Sequence, residues 1–453
     1  MLCKIFGKDN AEKMLCLAHY EICEGKAFSY AEDWSLERVW NLDLSSQEVS
    51  RLLGSISEEQ TNGFFGAWME SNNKGKGLLF DITSVSSYDR NNAYIERGYN
   101  RDHESLEQIN IGLLSAYGSL VPMWYSILPG SISDVAVMDY LSASLSKLGL
   151  KQIVITSDRG FYSDSNLKLL TDNDYKFTLP VPSSVGWQRD LIGENIDKLY
   201  DPDNIIHIDE ESFVYGKTFC DNSSPYGRVW KHLYFDPGRK QREIAAFMAR
   251  LEKCRTELES EKPLEKNKKF YETYFTVKET PRRGRKVIVN SDAVNAFLNG
   301  ASCHWVLISN TEKNAATALS HYRMRNDIEL QFDDLKNTID CKRLRTHNES
   351  TMRGKAFICF LSLIVLNELT KEVAAIPAQE RNHWSWKEML KKVSTYGKCK
   401  FTNKYNDVYT VPTKVQRIIF KALKIDYVWK GKKVSCDTQI EDEQPDLEDG
   451  AKS

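Results

Sequence analysis

The chain has 453 residues, 41% hydrophobic and 27% charged, which at roughly 100–200 residues per domain suggests two to four units and excludes disorder as a whole. The net charge of −2, taken alone, argues against a nucleic-acid partner; residues 437–453 carry seven acids and one base, however, so a −6 tail hides a +4 body, and DNA or RNA stays open. The longest apolar run, Ala356 to Leu366, is eleven residues where a bilayer span needs about 20, and ten cysteines without a C-x-x-C pair fit reduced, cytosolic thiols rather than a zinc site or disulfide framework. The N-terminus MLCKIFGKDN has no apolar signal core, so secretion is not expected. Residues 1–74 read as helical. Ser45 and Glu48 make a capping box before Val49, Leu52, Leu53 and Ile56, which recur at helical spacing. That region is either a small DNA-binding unit or a packing segment of the main domain.

Asn72 to Gly77 reads as a polar turn, and GLLFDITSVSSY after it as a strand. QINIGLLSAYGSLVPMWYSILPG reads as a hairpin about Tyr117-Gly118-Ser119. Ser133 to Leu148 is an amphipathic helix with Ser133 as its cap. Lys151 to Ser157 is a short apolar run typical of a buried strand, Ser163 to Thr171 a helix, and Tyr175 to Val181 another strand. Antiparallel strands followed by alternating strands and helices give a mixed α/β sheet covered by helices.

Residues 183–300 break that pattern with short strand candidates at 205–208, 212–219, 229–235, 271–277 and 286–289. One long helix, Arg239 to Leu258, interrupts them, and PRRGRK (281–286) is a basic loop. The stretch reads as a β-rich inserted subdomain. The main fold resumes with the strand Cys303 to Asn310 and a helical stretch from Ala315 to Asn337. Residues 371–436 read as mostly helical and basic, and 437–453 as a disordered acidic tail.

Three carboxylates stand out. Asp81 lies mid-strand between Phe80 and Ile82, where alternation puts it on the face opposite both; a carboxylate there is costly unless paired or metal-bound. Asp158 ends an apolar strand, where α/β folds place their sites, although a strand-end aspartate is commonly a cap. In HYRMRNDIELQFDDLKNTI, a continuous helix would put Tyr322, Arg325, Glu329 and Lys336 within an arc of about 60°, with Met324, Ile328 and Leu335 nearly opposite. The plain alternative is a solvated face with an Arg325–Glu329 pair. Two strand aspartates and a helix glutamate supply the oxygen ligands that suit two magnesium or manganese ions. Such a pair of ions activates a water or 3′-hydroxyl for phosphodiester displacement, and cations on the same helix face hold flanking phosphates.

These residues resemble the DDE transposases of insertion sequences, in the group with the Y-x2-R-x3-E-x6-K signature. Tyr322, Arg325, Glu329 and Lys336 satisfy all three spacings. DITSVSSY with Asp81 resembles the first catalytic strand, and SDRGF with Asp158 matches D-x-G-F. YNRDHESLEQINIGLL and ILPGSISD are similar to the family's core. The resemblance spans about residues 20–370. It implies an α/β architecture with an RNase H-like catalytic core in two parts, 75–182 and 301–370. A β-rich insertion at 183–300 would interrupt the core, with helical flanks at 1–74 and 371–436. Asp81, Asp158 and Glu329 would be the catalytic, metal-binding triad for two Mg2+ or Mn2+ ions. Tyr322, Arg325 and Lys336 would contact DNA at the transposon end, and Trp305 would stack on a flipped base.

Two departures accompany it. Relatives often carry an aromatic residue after the signature arginine, where this chain has Asn326. They also often have more sequence before the first catalytic strand than the 80 residues found here, so a reduced end-binding domain is expected. The implied partners are double-stranded DNA, as inverted-repeat ends and target, and a second copy in an active homodimer, with no membrane. The implied setting is a prokaryotic cytoplasm. The basic residues of 281–286 and Lys342, Arg343, Arg345, His347 and Arg353 either track phosphates or form solvated surface. The alternatives are an RNase H-like nuclease or resolvase that only hydrolyses DNA, and a decayed DNA-binding remnant. The full stripe favours the transposase, since hydrolysis alone needs no end clamp, and three intact carboxylates disfavour the remnant.

Overall fold

The structure is a computed structural model; it describes all residues except 39, 41, 73–76, 90–91, 149–152, 281–283, 301, 347, 375, 378–385, 400–406, 430 and 436–453. Among the sequence expectations, most of the turn before Leu78, the first half of the basic loop, His347 and the acidic tail lie outside the described residues. The principal strands are β1 (Leu78–Ser86), β2 (Gln108–Ala116), β3 (Pro122–Pro129), β4 (Val154–Thr156), β5 (Lys176–Pro180), β6 (Ile205–His207), β7 (Phe213–Asp221), β8 (Val229–Phe235), β9 (Phe275–Thr280), β10 (Gly284–Val289) and β11 (His304–Ser309). The chain folds as two units. The first comprises Met1–Lys76, Asp81–Ile132 and Asn326–Ser453, and the second Gly77–Phe80 and Ser133–Arg325.

In the first unit the strand order is β3-β2-β1. β2 and β3 form the expected hairpin, with Ile111 opposite Ile127. Every residue of β2 is buried, the polar Gln108, Asn110 and Ser115 included. The helix Glu58–Asn72 covers β3, and Trp68 Nε1 donates to the Pro122 carbonyl at 2.8 Å. The core centres on the helix Glu349–Ala374, which contains the long apolar run. Its Phe357 and Phe360 meet Phe6, Phe64, Phe65 and Tyr125 with ring centroids 5.2–6.4 Å apart.

The N-terminal residues are helical as expected, and they belong to this core. The helices Lys8–Cys23 and Ser46–Ser55 pack on Glu349–Ala374. Gly354 permits the second approach, because a Cβ there would lie 2.2 Å from the Leu53 carbonyl oxygen. One residue on, Lys355 forms a buried ion pair with Glu21, its Nζ 3.6 Å from the Phe28 ring centroid. Ser45 caps its helix by accepting from the Glu48 amide at 3.4 Å. The Glu48 side chain does not complete the box; it accepts from Lys13 and Arg51 instead.

Two readings need correction here. The cysteines are not all free thiols, because Cys341 and Cys359 form a disulfide, with Cα atoms 6.8 Å apart. Their spacing matches no framework pattern; the fold brings them together across the core helix. Among the described residues, the segment after Ala374 is also less helical than read. Helices Trp386–Ser394 and Lys414–Ala422 are present, packed through Val373, Ile376, Met389 and Ile419. Two short ladders accompany them, Lys398–Cys399 with Val408–Tyr409 and Tyr427–Trp429 with Lys432–Val434.

In the second unit the order is β1-β4-β5-β11-β8-β7-β6, entered by Leu78–Phe80. β1, β4 and β5 are parallel, with Leu79 opposite Thr156 and Ile155 opposite Phe177. β11 is antiparallel to β5 and β8, with Leu307 opposite Pro180 and Trp305 opposite Tyr234. The expected helices follow their caps: Ser133 accepts from the Ala136 amide ahead of Asp134–Lys147, and Ser163 from the Asn166 amide ahead of Asp164–Asp172.

Strands β6 to β8 fall within the stretch read as an insertion, yet they extend the ladder of β11. β9 and β10 form a separate ladder over the helix Pro237–Glu259, around Cys254, Leu258, Tyr271, Phe275 and Val287. The strand expected from Tyr271 begins at Phe275, because Lys268–Tyr274 is helical. Helices Gly186–Leu199 and Ser291–Asn299 were not anticipated. The second had a legible cap in Asn290, whose side chain accepts from the Ala293 amide.

The helix expected over Ala315–Asn337 is interrupted. Ala315–Arg323 is one helix and Asn326–Asp333 the next, followed by a wide π turn at Asp334–Thr338. At the break the backbone tightens, the Arg325 amide donating to the Tyr322 carbonyl at 3.1 Å. The single-face arithmetic for Tyr322, Arg325, Glu329 and Lys336 therefore fails, since it assumed 100° per residue throughout.

Candidate active site

Asp158 follows β4 and caps a single 3-10 turn, its Oδ1 accepting from the Arg159 amide at 2.6 Å. Gly160 in that turn lies close to Asp134: a Cβ there would be 2.5 Å from Asp134 Oδ2, so that carboxylate would have to shift. The other oxygen, Oδ2, lies 3.6 Å from Arg325 Nη1. Arg325 also sits 5.9 Å from the Tyr322 ring centroid. Burial raises the Tyr322 hydroxyl above its ordinary pKa, while the charge of Arg325 opposes that shift. The second unit thus gathers Asp158, Tyr322 and Arg325, although Tyr322 is 164 positions from Asp158.

Trp305 stands on β11 and stacks on Tyr234, with centroids 5.3 Å apart and planes at 19°. Both it and Tyr322 pack against the cluster of Val214, Tyr234, Leu307, Ala318 and Leu319. Trp305 is half-buried, so one part of the indole stays accessible.

In the first unit Asp81 is the half-buried member of an otherwise buried strand, and its Oδ1 accepts from the Ile82 amide at 2.8 Å. Glu329 is exposed on the helix Asn326–Asp333. That helix is fastened by Gln331, which bonds Ser115 and the Leu120 carbonyl. Lys336 lies in the π turn with its side chain only 9% exposed, and its Nζ is 2.7 Å from Asp102 Oδ2. Wide turns of this kind are frequent at functional sites.

Asp102 and Glu104, both in RDHES, were not singled out in the sequence, yet each pairs with a cation near the motif residues. Glu104 accepts from Arg343 at 2.8 Å and from Ser86, and lies 3.7 Å from Lys342. The Arg343 guanidinium, then the Ser86 hydroxyl, hold the Glu104 carboxyl down at about 2. Asn100 shapes the loop, its Oδ1 accepting from the Asp102 and Glu104 amides. The available signal was a dense set of charges in a loop feeding a buried strand. The basic residues read as a phosphate track are thus anchored by acids, Arg345 on Asp340 at 2.9 Å and Arg353 on Glu349 at 2.9 Å.

Hard carboxylate oxygens are the donors magnesium or manganese prefers. Among the described residues no group of three His, Cys, Asp or Glu side chains is placed to hold an ion, and Asp158 faces Arg325. No helix of the described residues is long and apolar enough to cross a membrane.

Residues 72–365 match the family model of the transposase DDE domain. The match takes in every site residue named above, and it spans well over half of the chain. The chain belongs to the transposase DDE domain family, and its class is that of DNA-cleaving, strand-transferring enzymes. A search of curated proteins finds no match. Among solved structures the chain is similar to a piggyBac transposase synaptic complex with hairpin DNA, at 11% identity and a TM-score of 0.40 over 84% of this chain and 69% of that one. It is also similar to the Mos1 transposase paired-end complex with the left transposon end, at 11% identity and a TM-score of 0.17 over 38% of this chain and 57% of that one. The assignment rests on the family match, not on these likenesses.

Proposed function

We propose that the protein carries out cut-and-paste transposition of an insertion sequence in a prokaryotic cytoplasm. It cleaves strands at the inverted-repeat ends and joins the 3′-ends to target DNA, working as a homodimer with an RNase H-like core. Asp81, Asp158 and Glu329 are the catalytic carboxylates, used with Mg2+ or Mn2+. Tyr322, Arg325 and Lys336 hold the end, and Trp305 receives a displaced base. The observation that carries this reading is the meeting of Tyr322 and Arg325 with Asp158. Signature residues from two distant motifs share one locality.

The test is incubation with labelled DNA carrying the inverted repeats that flank the gene, plus magnesium. Cleavage at the repeat boundary followed by joining is the expected result. Cleavage without joining would mean a nuclease, and no reaction would sink the proposal. Arg325→Ala is expected to weaken end binding about tenfold, the scale of one charge-assisted phosphate contact. Titration at two salt concentrations checks it, because a lost phosphate contact also lowers the salt slope by about one. Unchanged affinity would leave Arg325 as a structural partner of Asp158.

A further inference from the structure

The first unit contains a cavity of about 720 Å³ that none of the roles above uses. It lies where the C-terminal end of β1 meets the helix Ser46–Ser55 and the start of Glu349–Ala374. Val49, Leu53 and Leu344 supply apolar wall; Ser46, Ser50 and Thr346 bring hydroxyls. Three cations, Arg343, Arg345 and Lys355, line it against one acid, Asp89. Glu104, Asp340 and Glu21, which pair with those cations, are not in the lining. They fix the cations from behind. An arginine has five N–H donors in a rigid fork, and one carboxylate does not use them all.

Tyr88 lines the same cavity and is 74% exposed, with the Arg343 guanidinium 5.9 Å from its ring centroid. An open aromatic face beside a guanidinium takes a nucleobase without regard to sequence, and neighbouring arginines take its phosphate. Ser86, the last residue of β1 and itself in the cavity lining, is bridged to Arg343 and stands five residues along the strand from Asp81. At about 3.3 Å per residue that is roughly 16 Å, or about five nucleotides of one duplex strand.

We propose that this cavity binds one unpaired nucleotide of a DNA strand, its base against Tyr88 and its phosphate on Arg343 and Arg345. The proposal rests on the DNA-acting reading above, but not on cleavage. A metal-free binding assay tests it, whereas the transposase reading is tested by cleavage with magnesium, so the two fail separately.

The probe is a fluorescent ten-residue oligodeoxythymidylate with 5-iodouracil at its centre, followed by anisotropy and by photocrosslinking. The wild-type chain should bind it and crosslink at Tyr88. Ser50 is exposed on its helix, so Ser50→Trp should fill the mouth without unfolding the unit, and weaken binding about tenfold. Tyr88→Ala should do the same and lose the crosslink, while Tyr88→Phe should keep the affinity. Excess thymidine monophosphate should displace the strand only at far higher concentration. Wild-type affinity in Ser50→Trp, a crosslink confined to another region, or displacement by the free nucleotide at equal concentration would each overturn the proposal.

Discussion

Asp158→Asn is expected to lower strand cleavage by about a thousandfold or more, with the melting temperature nearly unchanged. An Asn side chain can still cap the 3-10 turn through its carbonyl oxygen, so the Arg159 amide keeps its partner. What is lost is the negative charge. In the proposed site the carboxylate would hold the cations that stabilise charge developing on the transferring phosphoryl group; loss of one such stabilising element costs about 10²–10³ in rate, and a thousandfold is about 4 kcal/mol. Asp81→Asn and Glu329→Gln should behave alike. Asp158→Ala is the poorer probe, because losing the cap adds about 1 kcal/mol of local destabilisation. The assay is magnesium-dependent cleavage of labelled end DNA beside a binding titration. Normal cleavage by any of the three variants would remove that residue from the triad. Loss of binding in parallel with cleavage would point to a disturbed fold rather than chemistry.

The second large effect concerns stability. Glu21→Ala should destabilise the first unit by about 3–5 kcal/mol, the cost of leaving one partner of a buried pair behind. The Glu21 side chain is 2% exposed and that of Lys355 9%. The ring of Phe28 offers the ammonium a cation–π contact but no counter-charge. Replacing both, as Glu21→Ala with Lys355→Met, should recover most of the loss, since an apolar pair of similar volume needs no desolvated charge. Urea unfolding of the two variants measures this; a single variant within about 1 kcal/mol of wild type would contradict it.

The pH dependence has a definite sign. Burial pushes the Lys355 ammonium down to about 7 from its ordinary 10.5. The folded chain therefore binds fewer protons than the unfolded one between about 7 and 10.5, so burying this amine costs most stability below about 7, and the cost eases as pH rises toward 10.5.

Local chemistry was readable from the sequence, and distant pairing was not. Ser45 and Ser133 announced their helices because a cap needs only the next three residues. The hairpin of β2 and β3 was equally local. The sheet position of β6 to β8 depends on a register between Tyr234 and Trp305, and no short pattern encodes that. The break at Met324–Arg325 was hidden because neither glycine nor proline marks it and the apolar periodicity continues across it. At the site, the motifs identified Asp158, Tyr322, Arg325 and Lys336 as residues of interest. They did not reveal the partners. Asp102 is 234 positions from Lys336, and Glu104 is 239 from Arg343.

The three-segment build of the first unit bears on how the protein emerges from the ribosome. The second unit is almost wholly one run, Ser133–Arg325, and its remaining strand residues precede it. It can therefore complete its contacts during synthesis. The N-terminal helices cannot, because the helix that covers them ends at Ala374. At about 5–20 residues per second, some 300 residues of further synthesis leave their apolar faces uncovered for roughly 15–60 s. Phe6, Phe64 and Phe65 spend that interval without Phe357 and Phe360. Yield of folded protein should therefore depend on chaperone supply and translation speed more than on the stability of the finished fold.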